Sequence, residues 1–211
     1  MSDVEAKTSI QALEAITSTR VIAIVREHSA DSAKREVDRL VAAGVRTIEV
    51  SLSTPGALDV AGWMAQTLSG DGLYFGVGTV LNARDVRDAA AVGASFIVSP
   101  ISSAGMVDAC KELGLASVVG AMTPTECVAA TEAGADLVKL FPAKNWSLDT
   151  LKGLLEALPF LKLVPTGGMR LSDAGAWLDA GAVAVGMGGG LRSGGGAAEL
   201  RQAILSLARP Q

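Results

Sequence analysis

Histidine and cysteine are nearly missing from this chain: His28 is the single histidine among 211 residues, and Cys110 and Cys127 are the two cysteines. With neither CxxC nor HxxxH spacing, a His/Cys metal site is hard to build, and no metal is expected. Both cysteines fall in helix-like stretches and read as small buried hydrophobes rather than a disulfide or redox pair. Aromatics are scarce, at 4%, and no stretch reaches the ~18 consecutive apolar residues that mark a membrane span. An excess of positive charge is missing as well. The formal net charge is -4 with mixed signs throughout, which removes the basic stripe that nucleic acid or an anionic membrane would require. The N-terminus, MSDVEAKTS, is polar and carries acidic residues. A soluble, cytoplasmic protein acting on a small molecule is expected.

What is abundant is apolar content, 49%, and glycine, 24 residues. At this length one domain over residues 1–211 with one substantial core is expected. The glycines recur in a small motif: AAGV at 42–45, AVGA at 91–94, ELGL at 112–115, EAGA at 132–135 and DAGA at 179–182. Each sits where a helix should end in the left-handed conformation, and strand-forming residues follow. The two long gaps, Gly44 to Gly93 and Gly134 to Gly181, each leave room for one further unit.

Eight apolar runs fit that count: 21–25, 47–52, 73–78, 95–100, 116–120, 136–141, 161–166 and 182–187. They are continuous rather than alternating, as in parallel strands buried on both faces. Amphipathic stretches such as 31–43, 82–92, 103–113 and 171–180 lie between them. The expected fold is α/β, a (β/α)8 TIM barrel with an N-terminal helix. A doubly wound open sheet would place its phosphate glycines after the first strand, and VIAIVREHS has none there.

Active residues of such a barrel project from the C-terminal ends of several strands. Lys139 interrupts the apolar run Leu137-Val138-Lys139-Leu140-Phe141, and Glu49 interrupts Thr47-Ile48-Glu49-Val50-Ser51. Either could be a structural charge. Together they offer an amine that burial can hold neutral, hence nucleophilic toward a carbonyl, and a carboxyl to shuttle protons. Arg26, at the end of strand 1, and Thr79, after a Gly76-Val77-Gly78 bend in strand 3, could grip the carboxylate of a 2-oxo acid. His28 is expected in solvent. Thr166-Gly167-Gly168 and Gly186-Met187-Gly188-Gly189-Gly190 follow strands 7 and 8, where phosphate-binding barrels form their anion cup.

The motifs Ala23-Ile24-Val25-Arg26, Ile48-Glu49-Val50, Gly76-Val77-Gly78-Thr79-Val80, Val98-Ser99-Pro100, Met122-Thr123-Pro124-Thr125-Glu126, Lys139-Leu140-Phe141-Pro142 and Pro165-Thr166-Gly167-Gly168 come in one order over about residues 10–205. So ordered, the chain closely resembles the 2-keto-3-deoxy-6-phosphogluconate (KDPG) and 4-hydroxy-2-oxoglutarate (KHG) aldolases. The resemblance implies a class I aldolase with Lys139 as the Schiff-base lysine and Glu49 as the general acid/base. It assigns the pyruvate carboxylate to Arg26 and Thr79, and the walls of the pyruvate pocket to Pro100 and Phe141. It also implies a homotrimer and no cofactor. Where many members carry a serine after strand 8, this chain has Gly189, so one hydroxyl ligand of the phosphate is absent. Galactonate-type aldolases share much of the pattern, but Thr166 looks more like the gluconate branch. An aldolase of unphosphorylated 2-oxo acids is a further alternative, and an isomerase or synthase on a phosphate-binding barrel, or a catalytically silent barrel, is a more distant one.

Overall fold

The computed structural model describes residues 9–68, 72–192 and 197–208. A helix, α1 (Ser9–Thr19), comes first, and strands then alternate with helices. The first half runs β1 (Val21–Val25), α2 (Ala30–Ala42), β2 (Thr47–Ser51), α3 (Ala57–Thr67), β3 (Tyr74–Gly78), α4 (Ala83–Ala91), β4 (Phe96–Val98) and α5 (Ala104–Leu113). The second runs β5 (Ala116–Ala121), α6 (Pro124–Glu132), β6 (Leu137–Leu140), α7 (Leu148–Ala157), β7 (Leu163–Pro165), α8 (Ala174–Asp179) and β8 (Val185–Met187), followed by α9 (Gly189–Arg192) and α10 (Ala197–Leu207).

All pairings are parallel, in the order β7-β6-β5-β4-β3-β2-β1-β8. A Thr166–Gly186 bridge and a hydrogen bond from the Val183 N–H to the Leu163 carbonyl, 3.0 Å, bring the outer strands together and close the barrel. The fold is the expected (β/α)8 architecture with α1 in front of it. No helix of the described residues is long and apolar enough to cross a membrane.

Local chemistry sets the punctuation. Ser29 and Ser32 form a capping box at α2, Asn82 accepts from Arg84 and Asp85 N–H at α4, and Thr123 with Glu126 forms a second box at α6. The five motif glycines, Gly44, Gly93, Gly114, Gly134 and Gly181, all have positive φ, as helix-closing residues require. Cys110 and Cys127 are buried, unpaired thiols in α5 and α6. His28 is exposed.

Two hydrophobic layers result. The outer one packs helices against the sheet; the inner one fills the lumen with Ile22, Phe96, Ala116, Leu137, Val164 and Ala184. Ala12 and Ile16 of α1, both fully buried, join that inner layer and plug the N-terminal end of the barrel. Because side chains alternate, the inward Leu137 puts Lys139 inward one step nearer the C-terminal mouth.

Later strands are shorter than their apolar runs: β4 keeps 96–98 of 95–100 and β8 keeps 185–187 of 182–187. The trimmed residues Ala182 and Ala184 are buried all the same, since hydrophobicity reports burial, not ladder pairing. The expected bend at Gly76-Val77-Gly78 does not form. These residues pair with β2 as ordinary strand, and the chain turns one residue later, at Thr79, with φ 62.

Two glycines of opposite duty separate these effects. Gly114 closes α5 at φ 69 and Gly153 lies within α7, and a Cβ at either would meet nothing within 4 Å. Gly114→Ala should cost roughly 1–2 kcal/mol, the penalty of a left-handed L-residue. Gly153→Ala should stabilise by about 0.5–1 kcal/mol. Urea midpoints shifting in opposite directions are the expected result; a shared direction would contradict the helix assignments.

Candidate active site

Lys139 is 5% exposed and Glu49 2% exposed, both in strands whose every residue is buried. Strand β6 holds the amine against Phe141, with Nζ 4.9 Å from the ring centroid. Strand β2 holds the carboxylate between Ile48 and Val50, which face the outer layer. The Glu49 Oε2 is buried and has no hydrogen-bond partner.

Each group shifts its pKa toward neutrality, mainly through burial. Burial raises the Glu49 carboxyl from its ordinary range to about 7, against the opposing pull of the Lys139 and Arg26 charges. Burial lowers the Lys139 amine, Glu49 opposes that shift, and Arg26 adds to it. The result is a proton-exchanging carboxyl beside an amine biased toward its neutral, nucleophilic form.

A cavity of about 360 Å³ opens over Lys139, lined also by Arg26, Phe141, Thr166 and both glycine turns, while Glu49 does not reach its wall. Its size suits a small ligand. Gly167 and Gly168 have φ 95 and 79, conformations the turn after β7 demands, and the Gly167 carbonyl accepts from Lys144 N–H at 3.1 Å. Gly188 and Gly189 face it from the start of α9. A larger hollow, about 580 Å³, lies at the other end, among Ile10, Phe160 and Lys162. It touches neither Glu49 nor Lys139, so size alone would point to the wrong end.

Lys139, Phe141, Arg26, Thr166, Gly167, Gly168, Gly188 and Gly189 therefore share one cavity wall, with Glu49 buried in charge contact with two of them. Thr79 and Pro100 are not on that wall. The Thr79 hydroxyl lies 2.7 Å from Ser51 Oγ, which lies 2.8 Å from Ser53 Oγ. The Pro100 carbonyl folds against Gly120, the ladder neighbour of Lys139. Arg26 lines the cavity together with the glycine turns, and Thr79 does not line it. Gly190 of the second glycine cluster lines the cavity as well, and Met169 joins it without a sequence signal to mark it. Ser51 had one: it shares the face of Glu49.

Among the described residues no group of three or more His, Cys, Asp or Glu could hold a metal. Burial pushes the Cys110 and Cys127 thiols up to about 12 and about 11, so neither is a ready nucleophile.

A parallel eight-stranded barrel carrying a buried amine and carboxyl beneath glycine turns defines a class: an enzyme working at the C-terminal mouth. Its family follows from comparison. The family model described as KDPG and KHG aldolase matches residues 13–199, and the chain belongs to that family of aldolases, which are lyases. It is 29% identical over 184 residues to the 2-dehydro-3-deoxy-6-phosphogalactonate aldolase of Escherichia coli K12, covering 87% of this chain and 89% of that one. It is 31% identical over 166 residues to the 2-dehydro-3-deoxy-phosphogluconate aldolase of Treponema pallidum, covering 78% of each. The crystal structure of the Zymomonas mobilis KDPG aldolase with 3-phosphoglycerate superposes with a TM-score of 0.80 at 25% identity, covering 94% and 96%.

The raised carboxyl has a consequence for stability. Between the ordinary carboxyl range and pH 7 the native chain keeps a proton on Glu49 that the unfolded chain has lost. The contribution is complete below about pH 4.3 and disappears as pH rises through 7, on the order of 3 kcal/mol. Wild type should therefore lose stability relative to Glu49→Gln between pH 5 and 8, as read by denaturant midpoints. A constant difference would mean that Glu49 titrates normally.

Proposed function

We propose that this enzyme is a class I aldolase that cleaves KDPG to pyruvate and glyceraldehyde 3-phosphate through an imine on Lys139, with KHG as a second substrate. The observation carrying this reading is the buried Lys139, on the wall of a cavity bounded by two glycine turns and in charge interaction with the buried Glu49. Neutral Lys139 attacks the C2 ketone, the protonated Glu49 carboxyl gives its proton to the departing hydroxyl, and loss of water leaves a protonated imine that serves as the electron sink. The Glu49 carboxylate takes the proton of the C4 hydroxyl as the C3–C4 bond breaks. The aldehyde leaves, and the bond's electrons pass into an enamine. Glu49 gives that proton to C3, and water then hydrolyses the protonated imine, releasing pyruvate and the neutral amine and returning a proton to Glu49. A carboxyl with a pKa of about 7 suits both directions of that shuttle.

Arg26 shares its wall with the glycine turns, which favours the phosphate over the carboxylate as its partner. Thr79 remains a donor for the carboxylate, with its hydroxyl oriented by Ser51. Pro100 and Phe141 give the pyruvate end apolar surface. Relatives named for the gluconate and the galactonate series stand at similar identity, and Thr166 favours the former. The same reading carries a homotrimer working in the cytoplasm on a small 2-oxo acid, with one domain per chain and no cofactor.

Borohydride tests the imine. Reduction in the presence of pyruvate should add covalent mass to wild type, and Lys139→Ala should lose both trapping and cleavage. Retained trapping would move the imine elsewhere. Lys162 is a poor substitute because it lies at the opposite end of the barrel.

Phosphate recognition is tested at Gly189, where an added Cβ would meet open space and φ is not positive. Gly189→Ser should lower KM for KDPG, since one hydrogen bond to a charged group contributes about 1.5–3 kcal/mol at best. KM for unphosphorylated 2-keto-3-deoxygluconate should barely move. Equal response by both substrates would reduce the glycines to turns and favour an unphosphorylated 2-oxo acid.

A further inference from the structure

Strand β3 presents no side chain to the lumen at two consecutive inward positions. Gly76 and Gly78 pair with Glu49 and Ser51 of β2 in regular register, and neither has the positive φ that would explain glycine by conformational freedom. The space they leave is filled. A Cβ at Gly76 would lie 2.5 Å from the Phe96 ring. A Cβ at Gly78 would lie 1.3 Å from Glu49 Oε2, 2.3 Å from its Cδ and 2.8 Å from Oε1. Real Cβ atoms essentially never come within 3.0 Å of such neighbours. The three nearest atoms at Gly78 thus all belong to one carboxylate, which occupies the volume of a missing side chain.

We propose that Gly78 is the positioning residue for Glu49: the absent side chain is the socket that holds the carboxylate in the lumen opposite Lys139, and any larger residue turns it out of line. The inference rests on the reading of Glu49 as the proton shuttle. Diagonal reach explains the geometry. Glu49 lies level with Gly76 in the ladder, and its two methylenes carry the carboxylate one step toward the mouth, to the level of Gly78. Phe96 closes the slot below it. The charged groups that face Glu49 are Lys139 from β6 and Arg26 at the end of β1, so a carboxylate pushed out of the socket changes its distance to both.

The test is a double-variant cycle of Gly78→Ala, Glu49→Ala and their combination, with KDPG turnover, borohydride trapping of pyruvate and melting temperature as readouts. Gly78→Ala should lose about 10²-fold or more in kcat, within the range of a displaced acid/base, with KM little changed. Trapping by Lys139 should persist. In the Glu49→Ala background the same methyl enters vacated space. The double variant should then melt no lower than Glu49→Ala and lose no further turnover, a non-additivity expected only of groups in contact. Wild-type turnover in Gly78→Ala, losses that multiply in the double variant, or a double variant that melts lower still would overturn the proposal. Should Gly78→Ala fail to fold, recovery of folded protein in the double variant upholds the socket, and failure there overturns it. Glu49→Gln separates the underlying reading: turnover within tenfold of wild type would remove its proton role, and with it the kinetic half of the proposal, while the melting cycle still decides the socket.

Discussion

Placing a lysine and a glutamate inside a barrel lumen is the constraint on which the rest of this site depends. Desolvation opposes both charges; their mutual attraction resists neutralisation of each, while Arg26 favours the charged form of Glu49 and the neutral form of Lys139. The outcome is a carboxyl raised to about 7 beside an amine whose pKa burial lowers. A carbonyl nucleophile and a proton carrier need that condition. Elsewhere the lumen holds Ile22, Phe96, Leu137 and Val164, so its buried charges are confined to the end nearest the mouth.

Glycine makes this arrangement geometrically possible. Inward positions on β3, β5 and β8 are vacant, and a neighbour moves into each: the Glu49 carboxylate at Gly78, the Pro100 carbonyl at Gly120 and the Thr166 hydroxyl at Gly186. A lumen filled by branched side chains would exclude these polar groups. Space is allotted by deletion, and the deletions fall around the reacting centre.

Much of this was legible from the chain. A charge inside an apolar run is conspicuous, and strand parity sets Thr47, Glu49 and Ser51 on one face. Helix-closing glycines at Gly44, Gly93, Gly114, Gly134 and Gly181 counted out most of the repeat. Less legible was whatever depends on a neighbour far away in sequence. Gly76 and Gly78 looked like a bend because glycine more often signals conformation than vacancy. Thr79 gave no hint of its φ of 62, since a β-branched residue seldom adopts it. That Arg26 shares a cavity with the glycine turns follows from the adjacency of β1 to β8, which the sequence of β1 does not announce. Sequence reports which side chains are chemically able; barrel closure decides which of them meet.

The plug made by Ala12 and Ile16 of α1 gives the barrel a direction. A tube stoppered at its base is a flask, and under the proposed mechanism substrate and both products share one neck. The aldehyde is freed when the C3–C4 bond breaks, whereas the other fragment stays bonded to Lys139 until water reaches it. The chemistry then sets the order of release, and the single neck makes the second product wait for the first to clear it.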